Sequence, residues 1–206
     1  MHQWNEVFKR EGAFFTSPQE DMPKIVRLFK RRKVKKVLDL GCGSGRHTVY
    51  LAKSGFAASG LDIAPEGIRL TREWLRKENQ TAKLKLGSIY EKLPYRNKSF
   101  DAIVFTQALH HARIEDIRNA IKEMHRVLRP AGLIFVTVRK PLREYGDVEF
   151  IAPLTYVPLS GDEKGLPHYI FDKRRIRKEF ANFDIPEIWL DAGRRHYCFV
   201  GRLKDA

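Results

Sequence analysis

The sequence VLDLGCGSG, residues 37–45, joins a short apolar segment to a predicted helix at residues 46–53. An apolar run of this length that stops at a glycine is typical of a buried β-strand. Glycines at alternate positions allow the backbone to turn sharply, so that amide groups at the start of the helix can face a carboxylate or a phosphate. The stretch therefore predicts a strand, a tight turn and a helix that together bind an anionic group.

Short apolar runs and longer amphipathic segments alternate on both sides of this turn. We predict helices at residues 23–32, 46–53, 65–77, 114–128 and 172–180, and strands at residues 37–40, 56–61, 84–86, 100–105, 133–138, 185–190 and 196–203. Such alternation predicts parallel strands with crossover helices, but the last two strands are joined by a short turn and must run antiparallel. We therefore expect an α/β fold with a seven-stranded, mostly parallel sheet, one antiparallel strand near its edge and helices on both faces.

The length of the chain favours one domain spanning residues 1–206. Residues 1–33 are expected to form an N-terminal helical cap. Residues 141–171, called the insertion below, contain several prolines and glycines and are too irregular for a regular element, yet they are rich in Phe, Tyr and Leu. We interpret the insertion as a loop that covers a binding site or contacts the substrate.

The charge balance is strongly basic, with 39 Lys and Arg against 25 Asp and Glu and a net charge of +14. This excess is compatible with an anionic partner such as RNA or an acidic metabolite. A composition rich in Lys, Arg and Glu is also typical of heat-adapted proteins. Both interpretations stay open on the sequence.

Two classes of protein are disfavoured by composition. The chain contains no run of about 18 apolar residues and no apolar signal core, so we expect no membrane partner and a cytoplasmic location. Its 2 cysteines support neither a disulfide framework nor a cysteine-based zinc site.

The residues around the glycine turn indicate which ligand it binds. A dinucleotide fingerprint requires a third glycine where this chain has Arg46, so a dinucleotide is disfavoured. Asp62 ends the second predicted strand, where a carboxylate can accept hydrogen bonds from both hydroxyls of a ribose. Asp39 ends the first strand near the turn and could attract a cationic amino group.

Four segments together resemble a known motif series: VLDLGCGSG at 37–45, GLDIAPEGI at 60–68, LKLGSIYEKLPYRNKSFDAIVFTQALHH at 84–111 and MHRVLRPAGLIFVTV at 124–138. Their order is similar to that of the class I S-adenosylmethionine-dependent methyltransferases, particularly the broad family that includes small-molecule methyltransferases. The resemblance covers residues 34–138. It implies a Rossmann-like fold and S-adenosylmethionine as the cofactor, with S-adenosylhomocysteine as the product.

The resemblance also implies roles for individual residues along the cofactor. The implied cofactor-binding residues are Asp39 at the amino group, Gly41, Cys42, Gly43 and Gly45 in the turn around the methionine part, Asp62 at the ribose, Ile63, Ser88 and Ile89 at the adenine, and Thr106, Gln107 and Leu109 beneath the sulfonium. Ser88 departs from the pattern, because many relatives have an aspartate there. A serine hydroxyl is a weaker acceptor for the adenine amino group, which puts the cofactor affinity in doubt.

The candidate catalytic residues are the adjacent His110 and His111. An imidazole titrates near neutral pH and could act as a general base. The alternative is that both histidines begin a helix and form local hydrogen bonds. No metal site is expected from this pair, since adjacent side chains on a helix diverge.

Aromatic residues and histidines outside the motifs are candidates for the acceptor pocket. Aromatic side chains near the amino terminus, which include Phe8 and Phe14, could close over the sulfonium. The substrate candidates are Trp4, Phe15, Tyr156, His168, Tyr169 and His196. Packing against the sheet would explain the aromatic residues almost as well.

Methyl transfer from a sulfonium requires alignment of donor and acceptor and exclusion of water, and it needs no nucleophile or metal from the protein. The expected function is methyl transfer by in-line displacement to an O, N or S atom of a small-molecule acceptor. A tRNA or rRNA methyltransferase is an alternative because of the +14 charge. A non-catalytic module that binds S-adenosylmethionine is another.

Overall fold

The computed structural model describes residues 3–13 and 15–204 of the chain. The helices are α1 (Gln3–Glu11), α2 (Met22–Arg31), α3 (Arg46–Lys53), α4 (Pro65–Lys77), α5 (Ile114–Val127) and α6 (Lys173–Glu179). The strands are β1 (Lys36–Leu40), β2 (Ala57–Asp62), β3 (Lys83–Leu86), β4 (Phe100–Thr106), β5 (Leu128–Arg139), β6 (Val148–Ala152), β7 (Thr155–Pro158), β8 (His168–Tyr169), β9 (Phe183–Asp184), β10 (Ile188–Leu190) and β11 (His196–Leu203).

The main sheet has the strand order β10-β11-β5-β4-β1-β2-β3. Strands β3, β2, β1, β4 and β5 pair in parallel, whereas β11 runs antiparallel to both β5 and β10. The predicted seven-stranded, mostly parallel sheet with one reversed strand near its edge is therefore confirmed. The two-residue strand β9 adds a further antiparallel pair at β11.

Alternate side chains of the central strands enter two separate cores, one on each face of the sheet. On β4, Ile103 and Phe105 pack with α5, while Ala102 and Val104 pack with α2. The period of two in a strand explains this division, because successive side chains point to opposite faces. Both faces are apolar and both are covered by helices, as the predicted α/β fold requires.

The prediction that the insertion is too irregular for a regular element is wrong, because the insertion contains three strands. Strands β6, β7 and β8 form a separate antiparallel sheet of three strands. The prolines that suggested irregularity lie where a strand tolerates them: Pro153 is in the turn between β6 and β7, and Pro158 ends β7. A proline at such a position removes no interior hydrogen bond from the ladder.

The two helices of the N-terminal cap lie in different places. Helix α2 buries Met22, Ile25 and Phe29 against one face of the sheet. Helix α1 lies beside α4 instead, where the Asn5 side chain accepts a hydrogen bond of 2.9 Å from the amide of Glu66. None of the described helices is long and apolar enough to cross a bilayer.

Candidate cofactor and acceptor site

A cavity of about 610 Å³ opens at the carboxyl ends of β1, β2, β4 and β5. Its volume lies within the range of roughly 300–1,000 Å³ that is usual for sites that bind small molecules. The glycine turn after β1 forms one end, and a group of histidines and arginines forms the other. In a sheet of this kind ligands bind at these strand ends, so the topology and the cavity agree.

The glycines of the turn are required by both backbone angle and space. Gly45 precedes α3 with φ of 98°, and a Cβ there would lie 2.8 Å from the Thr71 side chain. Gly41 has φ of 65°, and its Cβ would lie 2.9 Å from that of Ala108. A larger residue at either position would be strained and would push on its neighbour.

Asp62 lines the cavity and also holds the turn in shape. Its Oδ2 accepts a hydrogen bond of 2.8 Å from the amide of Gly43, and its Oδ1 accepts one of 2.8 Å from the amide of Ala64. Burial raises the pKa of this carboxyl, although the backbone amides oppose the shift. Each oxygen keeps a second lone pair, so both can still accept from a ligand.

Asp39 lies behind the turn and does not line the cavity. The Thr48 hydroxyl donates to Oδ2 at 2.7 Å, while Oδ1 is buried and has no hydrogen-bond partner among the described residues. Burial raises the pKa of Asp39 to about 7, and the Thr48 hydrogen bond opposes this shift. Because Asp39 does not line the cavity, this buried oxygen would act on a ligand such as an ammonium group through its electrostatic field and not by direct contact.

Arg46 and His47, the first residues of α3, fix the floor of the cavity. The Arg46 guanidinium donates to the Gln107 side chain at 2.6 Å. His47 Nε2 accepts from the amide of Gln19 at 3.1 Å, so in the neutral ring Nδ1 carries the proton and donates to the Thr106 hydroxyl at 3.1 Å. Burial lowers the pKa of His47 well below its usual value, which keeps the ring neutral.

The adenine end predicted from the resemblance is also part of the cavity. Ile63, Ser88 and Ile89 line it together with Tyr90. The Ser88 hydroxyl oxygen accepts a hydrogen bond of 3.1 Å from the Tyr90 amide, and the Tyr90 hydroxyl donates to the carbonyl of Ala108 at 3.0 Å. The serine therefore keeps its own proton and one lone pair for a ligand.

The structure brings most, but not all, of the predicted residues to the cavity. The lining includes Gly41, Cys42, Gly43, Asp62, Ile63, Ser88, Ile89, Thr106, Gln107, Trp4, Phe15, His110, His111 and His196. The predicted residues that lie elsewhere are Asp39, Gly45, Leu109, Tyr156, His168 and Tyr169. Phe14 lies outside the described residues.

The displaced candidates have structural surroundings that explain their position. Leu109 is fully buried in the core on one face of the sheet. Tyr156 stacks on His168 with ring centres 5.1 Å apart, and Tyr169 packs edge-on against Phe171 at 5.0 Å. A role of these side chains in direct contact with an acceptor is not supported by their placement.

Several charged residues that line the cavity were not predicted from the sequence. These are Arg46, Arg113, Asp116, Arg139, Glu163 and Arg195. Arg46 departs from the dinucleotide pattern, and its place at the start of α3 next to the turn was a signal that could have predicted it. The others come from separate segments and meet only through the fold.

The histidines at the acceptor end differ in their hydrogen bonds. Asp191 Oδ2 lies 2.7 Å from Nδ1 of His196, and its Oδ1 accepts from the amides of Arg195 and His196. Burial alone would raise the pKa of Asp191, but these hydrogen bonds lower it below its usual value. The carboxylate thus fixes the tautomer of His196 that has its proton on Nδ1 and a lone pair on Nε2.

His110 and His111 are held in other ways. His110 is buried, its Nδ1 has no partner among the described residues, and burial together with the neighbouring histidines lowers its pKa well below the usual value. Nε2 of His111 lies 3.3 Å from the Glu163 carboxylate, and its ring stacks on Trp4 at 5.8 Å. Burial lowers the pKa of His111, which the carboxylate partly offsets.

Comparison with known proteins agrees with this geometry. Residues 37–132 match the family model described as a methyltransferase domain. An uncharacterized methyltransferase of Synechocystis is 36% identical over 107 residues, which are 52% of this chain and 48% of the relative, so this chain spans about half the length of that protein. An uncharacterized methyltransferase of Mycobacterium bovis is 30% identical over an alignment of 200 residues that covers 92% of this chain and 76% of the relative.

A solved structure shows the same fold with ligands bound. The 1,6-didemethyltoxoflavin-N1-methyltransferase of Burkholderia thailandensis, with bound 1,6-didemethyltoxoflavin and S-adenosylhomocysteine, is similar with a TM-score of 0.67 at 20% identity, covering 99% of this chain and 84% of that one. The motif order, the sheet topology and the relative that matches almost the whole chain agree. The chain belongs to the class I S-adenosylmethionine-dependent methyltransferases, a family of enzymes.

Proposed function

We propose that this protein transfers a methyl group from S-adenosylmethionine to an O, N or S atom of a small-molecule acceptor. One observation carries the proposal: a single continuous cavity has the glycine turn with Asp62 at one end and oriented histidines at the other. A methyl donor and an acceptor can therefore bind side by side in this cavity, with no segment of the protein between them. Holding two reactants in line is the main contribution that this displacement requires.

The residues at the turn fit the cofactor part by part. The Arg46 guanidinium and the backbone amides at the start of α3 would hold the carboxylate of the methionine part, since both are donors to an anion. The amides of Gly41, Cys42, Gly43 and Gly45 already donate within the chain and shape the turn instead. The free lone pairs of Asp62 would accept from the ribose hydroxyls. Asp39 would stabilise the ammonium group through the field of its buried oxygen, and Ile63, Ser88 and Ile89 would surround the adenine.

Bound S-adenosylmethionine supplies an activated methyl group, so the chain's own contribution is to orient the acceptor and to move a proton. We propose that Nε2 of His196 takes up the proton that the acceptor loses, because Asp191 holds the ring's own proton on Nδ1 and leaves Nε2 with a lone pair. His196 therefore replaces His110 and His111 as the first candidate for the general base. Trp4 and Phe15 line the cavity and exclude water from the reacting atoms.

Charge at the acceptor end favours an acceptor that carries an acidic group. Arg113, Arg139 and Arg195 line the cavity against two acidic residues, Asp116 and Glu163, and Glu163 is already paired with histidines. Guanidinium groups bind carboxylates and phosphates through two parallel hydrogen bonds. We place the protein in the cytoplasm as part of the same proposal, since its acceptor would be a soluble metabolite.

The test has two stages. Calorimetry should first detect binding of S-adenosylhomocysteine, and the protein should then transfer label from methyl-labelled S-adenosylmethionine to fractions of a cell extract. Label in the small-molecule fraction supports the proposal. Label in nuclease-sensitive tRNA or rRNA would make the protein an RNA methyltransferase, and binding without transfer to any fraction would make it a non-catalytic module. Tight uptake of a nicotinamide or flavin instead would refute the cofactor assignment.

A further inference from the structure

A cluster of three side chains beside the acceptor end has no role in the proposed transfer. His111 lies in the loop between β4 and α5, whereas Glu163 and His168 belong to the insertion. Nε2 of His111 is 3.3 Å from Glu163 Oε1, and Nε2 of His168 is 3.1 Å from Glu163 Oε2. One ligand atom of each residue lies within 4.8 Å of the other two.

The hydrogen bond at Nδ1 of His168 determines whether Nε2 carries a proton or a lone pair. Nδ1 is 2.8 Å from the carbonyl oxygen of Leu166, and a carbonyl oxygen only accepts, so Nδ1 carries a proton. In the neutral ring Nε2 is then a bare lone pair that faces the carboxylate of Glu163. Two acceptors at 3.1 Å repel each other unless a proton or a cation lies between them.

This arrangement is the one that metal-binding histidines have. Such a histidine donates its remote N–H to a carbonyl or a carboxylate, which fixes the tautomer and orients the ring. His168 is further held by the ring of Tyr156, which stacks on it at 5.1 Å with an angle of 15° between the planes. Its side chain is almost fully buried, so the ligand nitrogen is positioned before any ion arrives.

The spacing of the donor atoms fits a small divalent cation. In a tetrahedral site with bonds of roughly 2.0–2.2 Å, neighbouring ligand atoms are about 3.2–3.6 Å apart. The separations of 3.3 Å to Oε1 and 3.1 Å to Oε2 of Glu163 agree with this edge length. The three ligand atoms lie within 4.8 Å of one another, so the widest of their separations would shorten by about 1 Å when an ion binds. Two neutral imidazoles and one carboxylate form the ligand set of many zinc sites that keep a position open.

We propose that His111, Glu163 and His168 bind a divalent transition metal of the zinc type, with one coordination position open toward the cavity. The open position follows from the lining, because His111 and Glu163 face the cavity and His168 closes the site from behind. This proposal departs from the expectation of no metal site, although it does not pair the adjacent His110 and His111. Only His111 contributes, and its partners come from a segment some fifty residues later in the chain.

Metal titration tests this inference without reference to methyl transfer. Tag-free protein treated with a chelator should take up one equivalent of Zn²⁺ by calorimetry, and Co²⁺ should give the visible absorption bands of a tetrahedral site. Glu163→Gln and His111→Ala should each weaken Zn²⁺ binding by on the order of 100-fold or more, since each removes a direct ligand. His125→Ala removes an exposed histidine of α5 and should leave the affinity unchanged.

The affinity for S-adenosylhomocysteine serves as a fold control for the variants, because the glycine turn lies at the other end of the cavity. Failure of the native protein to bind one equivalent of Zn²⁺ would overturn the inference and leave Glu163 as an ion-pair partner of the two histidines. Native affinity in Glu163→Gln, or an equal loss in His125→Ala, would also overturn it. Neither outcome would bear on the cofactor or on methyl transfer.

Discussion

Replacing Asp62 by alanine tests the cofactor site most directly. In the structure its two oxygens already accept hydrogen bonds of 2.8 Å from the amides of Gly43 and Ala64. The substitution therefore removes acceptors from the ribose and from the turn together. Hydrogen bonds to a charged group contribute about 1.5–3 kcal/mol, so binding of S-adenosylhomocysteine should weaken by roughly 10- to 150-fold.

Asp101 provides a matched control for that experiment. Its Oδ2 accepts from the amides of Lys35 and Lys36 at 2.9 and 2.8 Å, so it also holds two backbone groups, but at the opposite end of β1. Asp101→Ala should lower the unfolding temperature and leave the ligand affinity, measured by calorimetry, unchanged. Native affinity in Asp62→Ala, or an equal loss of affinity in Asp101→Ala, would refute the assignment of Asp62 to the ribose.

Three further predictions concern pH, backbone strain and proton transfer. Asp39 stays protonated in the folded protein up to about pH 7 but ionises near pH 4 when unfolded, so the folded state binds more protons between these values and stability falls as pH rises. Asp39→Asn should remove most of this decrease in the free energy of unfolding, which amounts to at most about 4 kcal/mol and is measured by urea unfolding at pH 4.5 and 7.5. An equal decrease in both proteins would contradict the raised pKa of Asp39. Gly45→Ala should destabilise by about 1–3 kcal/mol because of its φ of 98° and the Thr71 side chain at 2.8 Å, whereas Gly55→Ala, with φ of 88° and open space, should lose less in thermal unfolding. His196→Ala should lower kcat by roughly 10²- to 10⁴-fold with unchanged affinity for S-adenosylhomocysteine, and Asp191→Asn should also lower it; full activity in both variants would move the base elsewhere.

The sheet and the cofactor end could be predicted because their signals are local. The period of two in β4 and the glycines at 41 and 45 each specify a backbone conformation within a few residues. Asp62 was predictable since the ends of neighbouring parallel strands meet at one edge. These features depend little on the rest of the chain.

The acceptor end depends on contacts between distant segments and could not be predicted in the same way. Glu163 reaches the cavity because the insertion folds into its own sheet and returns His168 beside His111. Asp191 became relevant only through its contact with His196 across a turn. Asp39, in turn, had the right chemistry and the right position along the chain, but its side chain points behind the turn, which spacing does not reveal.

Helix α1 touches both halves of the cavity. Phe8 would lie 3.1 Å from a Cβ at Gly43, at the cofactor end, while Trp4 stacks on His111 at the other end. One helix thus contributes side chains to both ends of the single cavity, so a shift of α1 would change the fit of the donor and of the acceptor together.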